Sequence, residues 1–340
     1  MSSAERRTED GEAEFFRLPD DSRLKSLEKG VDYLSIFLIN QPGIHLLNMS
    51  NMKPETKCGL VLEGGAMRGL FTAGVLDVFL ENGIAFDGFV GVSAGAAFGC
   101  NLKSGQAGRV LRYNRKYCRD WRYCSWRSLI LTGDMFGADF CYRKLPEELD
   151  PFDNAAFDAN PTEFWLVCTD VVGGTPVYHR CDTAGGDTME WMRASASMPL
   201  VSSVVRIGGS RYLDGAITDS IPLEFMERTG YGRNVVILTQ PEGYVKKPSS
   251  LQWLMRTVYR KYPALVEAAA HRHAVYNAQT EYVRKRENEG AAFVIRPERP
   301  LPVRRVTHDP GLLQETYDIG RRTAEQKLEQ IGSFIHAGRD

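Results

Sequence analysis

The 340-residue chain has no excess of charge of either sign, because 42 lysines and arginines face 43 aspartates and glutamates. Nucleic-acid-binding proteins have a positive electrostatic potential over their binding surface, so this balance of charge argues against a nucleic acid partner. Small neutral or amphiphilic ligands stay open. The apolar share of 43% and the charged share of 25% are typical of a globular protein. A chain of this length can bury a large core.

The chain also lacks a long hydrophobic run and any paired cysteine motif. Its most apolar stretch, YLSIFLI at residues 33–39, is far shorter than the roughly 20 residues that cross a bilayer. That stretch follows a charged segment and does not form a secretory signal with a cleavage site. The seven cysteines are scattered without a C-x-x-C pair, as is typical of reduced cytosolic thiols. We therefore expect a cytoplasmic protein without a metal site, and peripheral contact with a membrane surface stays open.

Composition divides the chain into three regions. Residues 1–56 begin with a charged and polar stretch, and we expect them to form a weakly ordered N-terminal extension. Residues 57–240 alternate short apolar runs with helical patterns, which predicts the working domain. Residues 241–340 are more basic and mainly helical in pattern, and we expect them to pack on that domain.

The pattern within the central region predicts an α/β fold, a three-layer sandwich with a mostly parallel central sheet and a helical C-terminal extension. Parallel strands are covered on both faces and therefore read as continuous apolar runs. Helices are predicted over 69–81 and, interrupted near Gly105, over 94–118. Strands are predicted over 58–62, 86–92, 164–169, 176–178, 204–207, 235–239 and 293–295.

The segment FDGFVGVSAGAAF, residues 86–98, has the pattern of a nucleophile elbow. An apolar strand runs into Gly91-Val92-Ser93-Ala94-Gly95 and then into small helix-forming residues. A sharp strand-to-helix turn leaves no room for Cβ atoms beside the serine, which explains the two glycines. The turn places the Ser93 hydroxyl near a helix N-terminus, where negative charge is stabilised. The competing interpretation is a tight turn that carries a solvated serine.

A second glycine-rich turn, EGGAMRG at residues 63–69, also lies between a predicted strand and a predicted helix. Backbone N–H groups in such a turn bind an anion. The dinucleotide and P-loop fingerprints do not fit, because Ala66 replaces a required glycine and Leu70 follows Gly69 in place of lysine. The remaining candidate for the bound anion is the oxyanion of an acyl-transfer intermediate. Peptide N–H groups near Gly65 and Ala66 would be its donors. Arg68 either holds the turn, which we favour, or attracts a lipid phosphate.

A serine nucleophile needs a base, and the residues alone leave its identity open. In an α/β-hydrolase, an acid and then a histidine follow the serine, and His271, His273, His308 and His336 do so here. None of them lies in a recognisable motif. Asp214 precedes Gly215 at the end of a strand-like segment, which fits either a carboxylate base or an ordinary Asp-Gly turn.

Together and in this order, the three motifs resemble the patatin-like phospholipase family over roughly residues 57–240. The segment ASASMPLVS at residues 194–202 and Pro222 also resemble blocks of that family. The resemblance implies a patatin-like catalytic domain with a Ser93-Asp214 dyad that needs no histidine. By the same resemblance, the oxyanion hole is formed by Gly64, Gly65, Ala66 and Met67, and the motifs are supported by Arg68, Gly69, Gly91, Gly95 and Gly215.

The function implied by the resemblance is a serine lipid acyl hydrolase of the phospholipase A or esterase type. It would cleave the carboxylic ester of a lipid or phospholipid through an acyl-enzyme, without a metal or other cofactor. One alternative is an α/β-hydrolase-type esterase with a Ser-Asp-His triad. Another is a non-catalytic lipid-binding protein on the same scaffold.

A further helix is predicted over residues 251–273, where Trp253, Val258 and Tyr259 alternate with Arg256 and Arg260. The pattern favours a packing helix with a solvated basic edge. A lid or a membrane-surface helix is the alternative.

Overall fold

The computed structural model describes residues 56–337, and all of these fall within one compact unit. The predicted N-terminal extension, apart from its last residue, lies outside the described residues. Within the described range, no helix is both long enough and apolar enough to cross a bilayer.

A mixed sheet of eight strands forms the centre, in the order β5-β6-β3-β2-β1-β7-β8, with β4 paired to β3. The pairs β1–β2, β1–β7, β2–β3 and β7–β8 are parallel, whereas β4, β5 and β6 pair antiparallel on one side of the sheet. The predicted mostly parallel sheet is therefore confirmed. The strands are β1 Cys58–Leu62, β2 Gly88–Val92, β3 Glu163–Asp170, β4 Pro176–Arg180, β5 Val205–Ile207, β6 Ser210–Asp214, β7 Arg233–Ile237 and β8 Ala292–Ile295.

Helices cover both faces of the sheet. They are α1 Gly69–Glu81, α2 Ala94–Lys103, α3 Arg109–Tyr117, α4 Trp126–Thr132, α5 Asn154–Ala159, α6 Thr188–Ala196, α7 Leu223–Arg228, α8 Gln252–Val258, α9 Pro263–Asn288 and α10 Pro310–His336. Short 3-10 turns span Ala66–Arg68 and Gly215–Ile217, and a π-helical segment spans Phe140–Leu149.

Side chains of the buried strands alternate between two apolar cores, because successive residues of a strand point to opposite faces. Leu60 and Leu62 of β1 belong to the core that contains α1 and α10, which pack against each other. Val61 belongs to the core that contains Met226 of α7 and Tyr276 of α9. These two cores and the sheet between them form the three predicted layers.

The predicted helix over residues 251–273 is wrong in one respect, because the structure divides it into α8 and α9. Pro263 has no N–H to donate and disfavours the helical region for the residue before it, Tyr262, whose φ is −128°. A proline is well accommodated at the first position of a new helix, where Pro263 lies.

Candidate active site

Ser93 lies between the last residue of β2 and the first residue of α2, with φ +56° and ψ −120°. A positive φ in a residue other than glycine costs of order 1–3 kcal/mol and persists only where the surroundings impose it. The flanking glycines permit this turn. A Cβ on Gly95 would lie 2.4 Å from the carbonyl oxygen of Leu62, and one on Gly91 would lie 2.6 Å from the backbone of Ala96.

A fully buried hydroxyl fixes the backbone of the elbow. The Ser93 N–H donates to Oγ of Ser195 over 3.0 Å, and the Ser195 hydroxyl donates to the carbonyl of Val167 over 2.6 Å. Ser195 therefore links α6 and β3 to the turn that carries Ser93. The sequence drew attention to the segment 194–202 but assigned this residue no role.

Asp214 is the last residue of β6, and the structure brings its carboxylate to Ser93. The Ser93 hydroxyl donates to Oδ2 of Asp214 over 2.9 Å, and the N–H of Ala216 donates to Oδ1 over 2.8 Å. Both side chains are buried, since Ser93 is 6% exposed and Asp214 is 4% exposed. Thr169 holds the strand end by donating to the Asp214 carbonyl over 2.9 Å.

Burial raises the pKa of Asp214 above its ordinary value, because the ionised carboxylate loses its hydration. The positive charge of Arg272 and the hydrogen bonds from Ala216 and Ser93 oppose this shift. A carboxylate with a raised pKa is a stronger base than an aspartate in water. The site thus combines a hydroxyl with a proton acceptor of increased basicity.

The second glycine turn packs directly on the elbow. A Cβ on Gly64 would lie 2.9 Å from the Cβ of Ser93. Within residues 56–337, the N–H groups of Gly64, Gly65 and Ala66 donate no hydrogen bond to the protein. Ala66 has φ +49°, so it pays the steric cost that glycine avoids. Gly64, Gly65 and Ala66 line the same cavity as Ser93, so three N–H groups without an acceptor in the described part of the chain lie near the serine.

Two residues of this turn differ from the sequence-based expectation. The N–H of Met67 donates to the carbonyl of Arg305 over 3.4 Å, so it is engaged away from the serine. The Arg68 side chain forms no hydrogen bond that would hold the turn, and its Nε is buried without a partner in the described part of the chain. Of the four predicted donors, those of Gly64, Gly65 and Ala66 are thus the ones without a protein acceptor among the described residues.

The histidines proposed for a catalytic triad lie elsewhere. His271 and His273 contact the carbonyls of Glu267 and Ala270 on their own helix, and His308 contacts the carbonyl of Cys118. His336 is the last residue of α10. No histidine among the described residues forms a hydrogen bond with the serine or the aspartate of the site.

An apolar cavity of about 870 Å³ opens at Ser93. The figure includes the part of the cavity that is open to solvent. Aromatic, aliphatic and methionine side chains dominate its lining, among them Phe98, Tyr113, Phe136, Leu145, Met192 and Met198. Such a lining accepts a hydrocarbon chain and excludes water.

Residues 60–226 match the family model of patatin-like phospholipase, and they contain the elbow, the glycine turn and Asp214. This part of the chain belongs to the patatin-like phospholipase family. Residues 262–336 match a second family model, which describes a domain of unknown function, DUF6363.

Similar proteins include an uncharacterized protein, YjjU of Escherichia coli strain K12, which is 28% identical over 82% of this chain and 79% of its own length. Lysophospholipase nte1 of Aspergillus oryzae is 27% identical over 81% of this chain, but the match spans only 18% of that longer protein. Among solved structures, VipD from Legionella pneumophila superposes with a TM-score of 0.41 and 12% identity over 82% of this chain and 67% of VipD.

Proposed function

We propose that this protein is a serine lipid acyl hydrolase that cleaves carboxylic esters of lipids through Ser93 and Asp214. The observation that carries the proposal is the 2.9 Å hydrogen bond between the two side chains at the opening of an apolar cavity. Membership of the patatin-like phospholipase family supports the reaction class. The lysophospholipase activity named for the fungal relative supports a lipid substrate.

In the proposed reaction, Asp214 accepts the hydroxyl proton while Oγ of Ser93 forms a bond to the ester carbonyl carbon. The tetrahedral intermediate then collapses, the bond to the alcohol oxygen breaks, and Asp214 returns the proton to the leaving alcohol. Water attacks the resulting acyl-enzyme, Asp214 takes a proton from that water, and the fatty acid is released as Oγ regains a hydrogen.

The N–H groups of Gly64, Gly65 and Ala66 are the proposed donors to the oxyanion. They are part of a turn that packs closely against the elbow, so little reorganisation is needed when the negative charge develops. Removing a single donor of this kind typically costs about 10²- to 10³-fold in rate. The acyl chain would extend along Phe98 and Met192 in the apolar cavity.

The direct test of the proposed activity is an assay of the purified protein with p-nitrophenyl butyrate and with long-chain lysophospholipids. We expect turnover of both, and faster acylation with the long chain because it fills the apolar cavity. Profiling of a lipid extract then identifies the natural substrate. Turnover without a metal or cofactor supplement is the expected result.

A non-catalytic lipid-binding protein is the second candidate, because a cavity of this kind would bind lipid even without turnover. It would be favoured if the protein bound lipid vesicles but neither hydrolysed an ester nor reacted with a fluorophosphonate. The triad alternative has no support from the geometry of the described histidines.

Peripheral contact with a lipid surface belongs to the same proposal. On α4, Trp126 is 69% exposed and Ile130 is 82% exposed, and the neighbouring Arg127 adds positive charge. The helix is followed closely by Phe136, which lines the apolar cavity. We infer that α4 touches the lipid surface from which the substrate is drawn.

The membrane contact is tested by sedimentation with anionic vesicles. We expect Trp126→Ser combined with Ile130→Ser to lower the partition coefficient by about tenfold or more. The double variant lacks the two large apolar side chains whose transfer from water into the membrane favours binding. Val275→Ser removes a partly exposed apolar side chain from α9 and is the control. Equal binding of the double variant and the wild type would contradict the contact.

A further inference from the structure

A second cavity adjoins the first at Ser93, with a volume of about 440 Å³ that includes the part open to solvent. Ala66, Ser93 and Met198 line both cavities, whereas Asp214 lines only the second one. An ester held at Ser93 would therefore have its acyl chain in the apolar cavity and its alcohol portion in the second cavity. The chemistry of the second cavity then determines which alcohols the site accepts.

The second cavity is strongly cationic. Four positively charged side chains line it, and they come from separate parts of the chain: Arg68, Lys246, Arg272 and Arg305. None of the four has a carboxylate oxygen within ion-pair distance among residues 56–337. The cavity thus concentrates positive charge that the described protein does not neutralise by direct contact.

The two carboxylates that line the same cavity already have other partners. Glu63 accepts hydrogen bonds from the N–H of Thr239 over 2.5 Å and from the hydroxyl of Tyr276 over 2.8 Å. Asp214 accepts from Ser93 and Ala216. Four cations and two carboxylates leave a net formal charge of +2 in the cavity.

Arg68, Lys246 and Arg272 are partly buried, which makes their charge costly without an anion, whereas Arg305 is exposed to solvent. Burial first, and then the like charge of Arg272, together lower the pKa of Lys246 to about 8. The pKa of Arg272 is also lowered, first by burial and then by Arg305, while Asp214 opposes the shift. The buried Nε of Arg68 has no hydrogen-bond partner in the described structure. An anion in the cavity would relieve the repulsion and provide acceptors for these donors.

We propose that the second cavity binds the phosphate of the substrate, so that the preferred substrates are lysophospholipids whose headgroup is a phosphomonoester. This inference rests on the proposed esterase function and specifies its substrate class. A phosphomonoester carries close to two negative charges at pH 7, which matches the net charge of the cavity. Arginine and lysine are the side chains that bind such groups.

A choline headgroup fits the same cavity poorly. Quaternary ammonium groups bind on aromatic faces, and Tyr276 is the aromatic residue that lines this cavity. The Nζ of Lys246 lies 3.9 Å from the centre of the Tyr276 ring and already covers it. A second cation would meet four like charges and would have to compete with Lys246 for the ring. The cavity therefore discriminates against a zwitterionic headgroup with a terminal ammonium.

The proposal also gives a role to the C-terminal region. Arg272, Tyr276 and Arg305 lie within the residues that match the family model of unknown function. The Arg305 carbonyl accepts the N–H of Met67, which connects this region to the proposed oxyanion turn. The C-terminal region would thus complete the substrate site and select the headgroup.

The test compares kcat/KM for oleoyl lysophosphatidic acid with kcat/KM for oleoyl lysophosphatidylcholine, which share the same acyl chain. We expect the wild type to prefer the phosphomonoester by at least tenfold. Removing two charge-assisted contacts in a Lys246→Gln, Arg305→Gln variant is expected to lower that ratio by about 10- to 100-fold. Lys246→Arg keeps the charge and is expected to retain the preference. Arg304→Gln removes an exposed charge that lies outside the cavity and is the matched control.

Turnover of p-nitrophenyl butyrate, which has no headgroup, separates the two proposals. If the wild type hydrolyses this ester but the lipid ratio is the same in the wild type and the double variant, the headgroup proposal is wrong and the esterase proposal stands. If no ester is hydrolysed, calorimetric binding of lysophosphatidic acid to the Ser93→Ala protein becomes the readout. Weaker binding after Lys246→Gln and Arg305→Gln would then support the anion site, and unchanged binding would overturn it.

Discussion

We expect Ser93→Ala to lower kcat/KM for p-nitrophenyl butyrate by roughly 10⁴- to 10⁶-fold, the loss that follows removal of a nucleophile. Alanine removes the only atom that forms the covalent bond in the proposed reaction. The substitution leaves the elbow intact, because the hydrogen bond to Oγ of Ser195 comes from the backbone N–H of residue 93, which alanine retains. The initial rate with a chromogenic ester is a sufficient measurement.

Ser210→Ala is the matched control for this substitution. Ser210 is exposed at the start of β6 and has no role in the proposed reaction. The control variant is expected to keep the wild-type rate. Turnover by Ser93→Ala within tenfold of the wild type would remove Ser93 from the mechanism. Thermal unfolding of both variants separates a chemical effect from a loss of fold.

The second large effect is expected for Asp214→Asn, which keeps the shape of the side chain but removes the base. We expect kcat/KM to fall by roughly 10³- to 10⁴-fold, comparable to the loss when the carboxylate of a Ser-His-Asp triad becomes an amide. Asp77→Asn is the control, because Asp77 is also a buried aspartate whose pKa burial raises, and its partners are Tyr317 and Gly108. Equal losses in both variants would indicate that the effect is structural.

The raised pKa of Asp214 gives this prediction a pH dependence. The proposed base acts only when ionised, so wild-type kcat/KM should fall as the pH drops through a value above the ordinary aspartate pKa of about 3.9. Stability should respond in the opposite direction. A carboxyl group that holds its proton more tightly in the folded state stabilises the fold at low pH, and this contribution is lost as the pH rises through the raised pKa.

The same linkage predicts the stability of the Asp214→Asn variant. A neutral amide is not subject to the cost of burying a charge, so at pH 7 the variant should unfold at an equal or higher temperature than the wild type. Loss of activity without loss of stability is the expected combination. Such a trade-off is common where a catalytic group is held in an unfavourable environment.

Local patterns in the sequence predicted the helices that follow the glycine turn and the elbow. The predicted helix over 69–81 coincides with α1, and the break near Gly105 separates α2 from α3 as observed. Both predictions rest on apolar spacing and glycine positions, which act within a few residues. The short antiparallel strand β6 was recognised only as a strand-like segment, because its stability depends on pairing with β3 and β5.

The parts of the site that the sequence did not predict depend on contacts between distant segments. Ser195 contacts the elbow 102 residues away along the chain, and Tyr276 reaches Glu63 across 213 residues. Lys246, Arg272 and Arg305 converge on one cavity although no local motif connects them. Spacing along the chain carries no signal for such convergence, since these charges are brought together by the packing of α9 and of the segments before and after it.

The central claim is that Ser93 is a nucleophile activated by the carboxylate beneath it, and covalent trapping tests it most directly. The wild-type protein is incubated with a long-chain alkyl fluorophosphonate and analysed by intact-mass and peptide mass spectrometry. We predict one adduct per chain, located on Ser93, with labelling lost in Ser93→Ala and strongly slowed in Asp214→Asn. An adduct on another residue, or ester turnover by a protein that the reagent leaves unmodified, would contradict the mechanism.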